Sequence, residues 1–405
     1  MKKTLLFLAA VAVASTAMAQ VSEGEYYIRN VKTGFFLNGG YSWGTKAIIK
    51  PQARAFQLVA TDDADIFTIK STVGLIKVEN AEYYIDANDD AAARFYFAKT
   101  DDGAHYRIEC NGKTLVNEGD MLTFGGGEES WESGQGAAHS YDFWPVTHSE
   151  TFDDANEGML WDLLTHAEMV EALAAASDAN PIDASFLIKA HMMDINDTDN
   201  TTAWTVTKNG EPAEMICPPS GWDHSLNNWI NNGTYGWFAN DEATADVTDE
   251  VRQEVTGAPK GTYEVEYRVV NQSNTPLTIP FNDTKAEATP FDSNNLWYNS
   301  AADCLKDKNN IKKAVFTVGD DGKLAISMKK ESKAGQQNRF AFKSFILTYH
   351  GTNSSLSGLE NIAVEAIDTT APAEYYNLQG IRVANPTPGI YLIRQGAKVT
   401  KQLLR

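Results

Sequence analysis

The chain runs to 405 residues and carries 54 acidic against 34 basic side chains, a net charge of −20 at pH 7. Such a surface repels phosphate backbones and anionic lipid, which argues against nucleic-acid or peripheral-membrane partners. The length admits two or three domains with hydrophobic cores, and Cys110, Cys217 and Cys304 do not form the pattern of a disulfide scaffold.

The first residues read as an address. Lys2 and Lys3 precede the apolar run Leu5–Val13, and Ala17-Met18-Ala19 puts small residues where a signal peptidase cuts. Cleavage after Ala19 is expected, giving a secreted or cell-surface protein. No cysteine follows the apolar run, as a lipoprotein would need, and no later stretch is long enough to span a bilayer.

From Gly24 to Val146 the sequence repeats itself in three units. Each opens on a strand, Tyr26–Arg29, Ile66–Ile69 or His105–Ile108, with Tyr27, Phe67 and Tyr106 spaced 40 and 39 residues apart. Each then offers a glycine turn and an apolar strand at Gly34–Leu37, Gly74–Lys77 and Gly112–Leu115. Each closes on an aromatic strand: Phe56–Leu58, Phe95–Phe97 and Tyr141–Trp144, the last delayed by the glycine-rich stretch Gly125–Gly136. Cys110 shares its parity with Tyr106 and Ile108 and is expected to face a core. Three strand-rich units of this length suggest a closed, threefold β structure.

This region resembles the ricin-type β-trefoil, on the opening GEYYIRNVKTGFFLNGGYSWGT and the period behind it. The family's Gln-x-Trp signature is absent; its places hold Phe56-Gln57-Leu58, Phe95-Tyr96-Phe97 and Asp142-Phe143-Trp144. The resemblance implies sugar binding, with Tyr41, Trp43 and Asn38 of the first lobe as candidate contacts. Aromatic faces stack on sugar C–H groups while amides read hydroxyls. Trp43 reads equally as a plug in the mouth of the barrel.

Between the β regions, Thr165 and Glu168 make a capping box, and Met169, Val170, Leu173 and Ala176 recur at helical spacing until Asn180-Pro181 ends the run. The following Ala184–Ile188 is an apolar run of strand type. Trp161 is expected to anchor this connector, whose apolar face must bury against one domain or between both.

Beyond it Tyr263, Val265, Tyr267 and Val269 alternate with Glu264, Glu266 and Arg268, the sign of an antiparallel strand with one solvated face. Val315–Val318 and Leu324–Met328 flank Gly319–Gly322, which reads as a hairpin loop, and Phe340–Tyr349 closes a jelly-roll-like sandwich. NPIDASFLIK, Ala203-Trp204-Thr205, PKGTYEVEYR and RFAFKSFILTYHG resemble the galactose-binding-like sandwiches that serve as carbohydrate-binding modules. Trp204 and Trp237 suit the core of such a fold. The segment Trp222–Trp237, with few β-branched residues, reads as loop and supplies Trp222, Asn228 and Trp229 as candidate glycan contacts, joined by Trp297 and Tyr298. Cys217 and Cys304 either pair after export or stay as separate thiols. Asp194–Asn200 crowds three aspartates but lacks the glycine and glutamate of an EF-hand loop, so it reads as a solvated turn rather than a Ca²⁺ site.

The tail carries short strands at Tyr375–Leu378, Ile381–Val383, Ile390–Arg394 and Val399–Leu404, with another at Ile362–Ile367. Tyr376–Gly380, Gly389–Ile393 and the basic end Lys401…Arg405 resemble the C-terminal sorting domain of the type IX secretion system, which implies export machinery as a partner. A small β cap is the plain alternative.

No nucleophile elbow, zincin helix or phosphate-binding loop occurs, and His166 has no partner at i+4. The expected protein is all-β and non-enzymatic, without cofactor or metal. Its order is signal peptide (1–19), β-trefoil (20–148), helical connector (149–179), sandwich (180–352), linker (353–372) and small β domain (373–405). A glycan or glycoconjugate is its expected partner. The competing readings are a structural protein with ligand-free domains and a glycan hydrolase.

Overall fold

The computed structural model describes residues 21–356 except 42–44, 64, 80–81, 118, 125–140, 194–196, 216–220, 224–227, 231–234, 241–242, 273–274, 283, 289–304, 306–309 and 337, and in the tail 374–376, 382–383, 389–395 and 398–404. Its first region is built of three successive groups of strands. The first holds β1 (Gly24–Asn30), β2 (Phe36–Tyr41), β3 (Lys46–Lys50) and β4 (Ala55–Ala60). The second holds β5 (Ile66–Lys70), β6 (Leu75–Glu79), β7 (Glu82–Ala87) and β8 (Phe95–Lys99). The third holds β9 (Tyr106–Cys110), β10 (Lys113–Val116), β11 (Leu122–Phe124), β12 (Tyr141–Pro145), β13 (Thr147–Ser149) and β14 (Trp161–Leu164).

Six of these strands close a ring. β1 pairs β4, β4 pairs β5, β5 pairs β8, β8 pairs β9, β9 pairs β14 and β14 returns to β1, every junction antiparallel. β2–β3 and β6–β7 are hairpins set against the ring, and β3 gathers both β7 and β12. Closure leaves the ring no free edge. Alternation fills its inside: Phe56 and Leu58 on β4, Phe95 and Phe97 on β8, Ile108 and Cys110 on β9 are all buried in one cluster. The buried Cys110 thiol is pushed up to about 11 by desolvation.

Two expectations fail here. The strand that closes the third group is Trp161–Leu164, while Tyr141–Pro145 pairs β11 and β3 away from the ring. Trp161 therefore anchors no connector; it is wholly buried in the ring core, its indole Nε1 donating to the Leu115 carbonyl at 3.3 Å. The repeat register also shifts. Phe67 faces the ring core, but Tyr27 turns outward and joins the core of the next region, leaving Ile28 to fill the ring.

Helix α1 (His166–Ala172) follows β14 with both halves of the Thr165–Glu168 capping box formed. Met169 and Leu173 bury in the cluster that also takes Tyr27 and Ala53 from the first region. The apolar run after it is no strand: Ser185–Leu187 is one 3₁₀ turn, preceded by β15 (Ile182–Asp183). Its residues pack inward irrespective of parity, as a short fully buried run can.

The second region continues with α2 (Asp199–Thr202), β16 (Thr205–Lys208), β17 (Glu211–Pro212), β18 (Gly221–Asp223), β19 (Asn228–Ile230), β20 (Gly236–Ala239), β21 (Val247–Val255), β22 (Gly261–Gln272), β23 (Leu277–Phe281), β24 (Thr284–Ala288), β25 (Ile311–Val318), β26 (Leu324–Ser332) and β27 (Arg339–Tyr349). One sheet runs β15–β27–β22–β25, with β20 also on β27, and the other β17–β16–β21–β26–β23–β24. Tyr263, Val265, Tyr267 and Val269 point into the core between them, with Trp204 beside Phe342 and Phe345. Trp237 is buried too, in a small separate cluster with Tyr235, Val270, Leu305 and Ala341.

Arg268 departs from its expected exposure. It keeps the parity of Glu264 and Glu266, but that face is covered at this point, and the buried guanidinium donates to the Leu305 carbonyl at 2.7 Å. Gly319–Gly322 is likewise not a hairpin loop: β25 pairs β22 and β26 pairs β21, so the turn carries the chain from one sheet to the other. The expected loop around Trp222 contains a two-stranded ribbon, β18–β19.

Residues up to Asn353 form one compact unit and Ser354–Arg405 a second. At the end of the first, Gly351 adopts φ +81°, and a Cβ there would stand 2.6 Å from the Ala176 carbonyl, so glycine lets the chain pass the end of the helix. The second unit contains one sheet, β28 (Glu374–Tyr376), β29 (Arg382–Val383), β30 (Gly389–Gln395) and β31 (Lys398–Leu404), in the order β29–β28–β30–β31. The strand expected at Ile362–Ile367 lies outside the described residues.

Candidate functional site

The ring and the sandwich meet along a cleft of about 1070 Å³. β1 supplies Glu25 and Tyr27 from its outward parity, β4 and the segment before it Ala53–Ala55 and Gln57, and the β5–β6 turn Lys70–Gly74. The opposite wall comes from His166, Phe186–Met193, Asp197–Asp199 and the end of β21 at Gln253–Val255.

Its floor is aromatic. Tyr27 and Phe186 meet edge to face with centroids 5.6 Å apart, and His166 meets Phe186 at the same distance. The Tyr27 hydroxyl lies 3.3 Å from His166 Nδ1. Burial, and secondarily the Glu25 charge, push the Tyr27 phenol above its ordinary range, so it remains protonated.

The two walls are tied by charge. Arg54 donates to Asp197 Oδ2 at 2.9 Å, to Asn38 Oδ1 at 2.9 Å and to Thr72 Oγ1 at 3.3 Å. Less than a tenth of either side chain of the Arg54–Asp197 pair is exposed. Asp197 also accepts from the Asp199 backbone N–H, and Thr198 donates to the Thr72 carbonyl through its own N–H and hydroxyl. On the sandwich wall the Gln253 amide accepts from Lys189 N at 2.8 Å and donates to Lys189 O at 3.0 Å. These groups set the width of the cleft. Glu25, Gln57, Lys70, Thr72, Thr198 and Glu254 are exposed around its rim, with Asp199 half-buried beside them, and offer donors and acceptors to a ligand.

Of the residues singled out in the sequence, Asn38 lies at this cleft but does not serve as a free reader. Its Nδ2 donates to Gln52 O at 2.8 Å and its Oδ1 accepts from Gly39 N and Arg54, so both polar atoms hold the fold. Tyr41 ends β2 opposite Lys46, past a register shift in the hairpin. Trp222 and Trp229 are direct cross-strand partners in the β18–β19 ribbon, which puts both positions on one of its faces, with Asn228 opposite Asp223 on the other. Trp43, Trp297, Tyr298, Cys217 and Cys304 lie outside the described residues, as does Asp194–Asn196 of the acidic loop. Among the described residues no group of three His, Cys, Asp or Glu side chains could hold a metal. Tyr27, Arg54, His166 and Phe186 belong to no binding motif in the sequence. The signal for Tyr27 was there: Tyr26-Tyr27-Ile28 is apolar on both faces, as in a strand covered on both sides.

No family model and no curated protein matches the chain. Among solved structures, a CBM61 module in complex with β-1,4-galactotriose is 16% identical, covers 40% of this chain and 97% of its own, and scores a TM of 0.26. A structure of carbohydrate-binding modules from the β-sandwich superfamily is 7% identical, covers 72% and 96%, and scores 0.22. Arthrobacter globiformis T6 isomalto-dextranase complexed with panose is 9% identical, covers 63% and 36%, and scores 0.22. Scores and identities this low establish neither a common topology nor a common ligand.

Proposed function

We propose that this chain is an exported, non-catalytic glycan-binding protein whose ring is a β-trefoil, whose sandwich is a galactose-binding-like module and whose small C-terminal sheet is a sorting address. The observation that carries the reading is the cleft: the exposed His166 ring, backed by the buried rings of Tyr27 and Phe186, under a rim of amide, hydroxyl and charged groups. Sugars are amphipathic in the same sense, with C–H faces beside hydroxyls that both donate and accept. The cross-strand pairing of positions 222 and 229, both tryptophan, on a short ribbon is compatible with the same reading.

The test is a glycan array probed with the full mature chain, beside the variant Gln57→Trp, which places a bulky ring at an exposed position of the cleft. Retained glycans with the natural chain and their loss in the variant, at unchanged circular dichroism, support the reading. No retained glycan overturns it. A structural role without ligand would leave both chains silent on the array. A hydrolase would shorten the retained oligosaccharides, which chromatography of the eluate reports.

A further inference from the structure

We infer that the ligand of the cleft is an uncharged oligosaccharide that lies across both the ring and the sandwich, and that acidic glycans are excluded. The inference rests on the glycan reading above and narrows it to a class.

Electroneutrality is its basis. Arg54, the most deeply placed cation of the cleft, is already bound to Asp197 and turned to Asn38 and Thr72, so it presents no bidentate fork to a carboxylate or sulfate. Glu254 is held from outside the cleft by Arg252 and Lys323. The remaining lining carboxylates, Glu25 and Asp199, are equalled in number by the lining ammonium groups of Lys70 and Lys189. A ligand with net charge would meet no compensating excess of the opposite sign. Beyond the cleft, the chain's net charge of −20 opposes the approach of any polyanion.

Size is the second element. Small-molecule sites enclose about 300–1,000 Å³, and the cleft lies just above that range at about 1070 Å³. This suits several sugar units rather than one. Because one wall belongs to the ring and the other to the sandwich, such a ligand contacts both.

Isothermal titration of the full chain separates the possibilities, using neutral galacto- and gluco-oligosaccharides against oligogalacturonate and a sulfated oligosaccharide, at low and physiological salt. The expected result is binding of a neutral member, weakened about tenfold or more by Gln57→Trp, with acidic ligands weaker by a similar factor at low salt, where a charge excess would show most. The paired variant E25Q/D199N removes two lining carboxylates and should shift selectivity, raising the affinity for oligogalacturonate relative to that for the neutral ligand; an unchanged ratio overturns the inference. Acidic ligands binding the natural chain as tightly as neutral ones overturns the inference and leaves the glycan reading standing. So does neutral binding that Gln57→Trp leaves intact and a Trp222→Ala/Trp229→Ala chain loses. Silence toward every oligosaccharide removes both.

Discussion

Asp183 shows what a single side chain contributes to the pH response. It sits on β15, accepting from Ser185 N at 3.1 Å and from the Ser185 hydroxyl at 3.0 Å, while that hydroxyl accepts from Leu347 N. Desolvation raises its carboxyl from 3.8 to about 7, against the opposing pull of the Ser185 hydrogen bonds. Between those two values the folded chain keeps a proton that the unfolded chain has released, so stability falls as pH rises from about 4 to about 7 and the loss is complete above. Asp183→Asn cannot ionise. Urea melts at several pH values should show the variant gaining stability relative to the natural chain across that window; a constant difference contradicts the assignment. None of this was legible in the sequence, where Asp183 reads as one of 54 acidic residues. Cys110 was legible, since strand parity alone put it inside. Asn38 was half legible: an amide near the site, but one whose polar atoms the fold uses itself.

At the level of elements, local signals were read well and pairings poorly. The Thr165–Glu168 box marks the start of α1, and the alternation of β22 fixes its buried face through Tyr267. Both are determined within a few residues. The burial of Arg268 beneath Leu305 and the crossing of Gly319–Gly322 between sheets depend on partners far along the chain, Leu305 in one case and the pairing of β25 with β22 and of β26 with β21 in the other, which no local pattern announces. The closing strand of the ring failed for the same reason. Tyr141–Pro145 is aromatic and near the expected period, but Trp161–Leu164 holds the place between β1 and β9. A polypeptide of residues 21–148 therefore lacks the sixth ring strand and the Trp161 indole, and it leaves β1 and β9 with unpaired edges. It should show no cooperative thermal transition and should aggregate, whereas one of residues 21–165 should melt cooperatively. Equal behaviour of the two would mean that β14 is dispensable.

What couples ring to sandwich is less the helix than two insertions: Tyr27 and Ala53 entering the sandwich core, and Arg54 meeting Asp197, 143 residues further along. A buried charge pair contributes little net stability when whole, but removing one partner strands the other and costs about 3–5 kcal/mol. Arg54→Ala should therefore lower stability by that order, and Arg54→Ala with Asp197→Ala by less than the two single losses added together. The mode of unfolding is the more telling readout. With a shared core on one side and the ion pair on the other, ring and sandwich should unfold in one calorimetric transition, and Arg54→Ala should move that transition down or split it. Two independent peaks in the natural chain, unaffected by Arg54→Ala, would show that the interface carries no coupling. Coupling of this kind also bears on ligand binding. A cleft whose walls belong to two bodies keeps its shape only while those bodies hold together, so loss of the pair should weaken oligosaccharide binding at temperatures well below the melt. Binding that survives Arg54→Ala unchanged would place the ligand wholly on one wall.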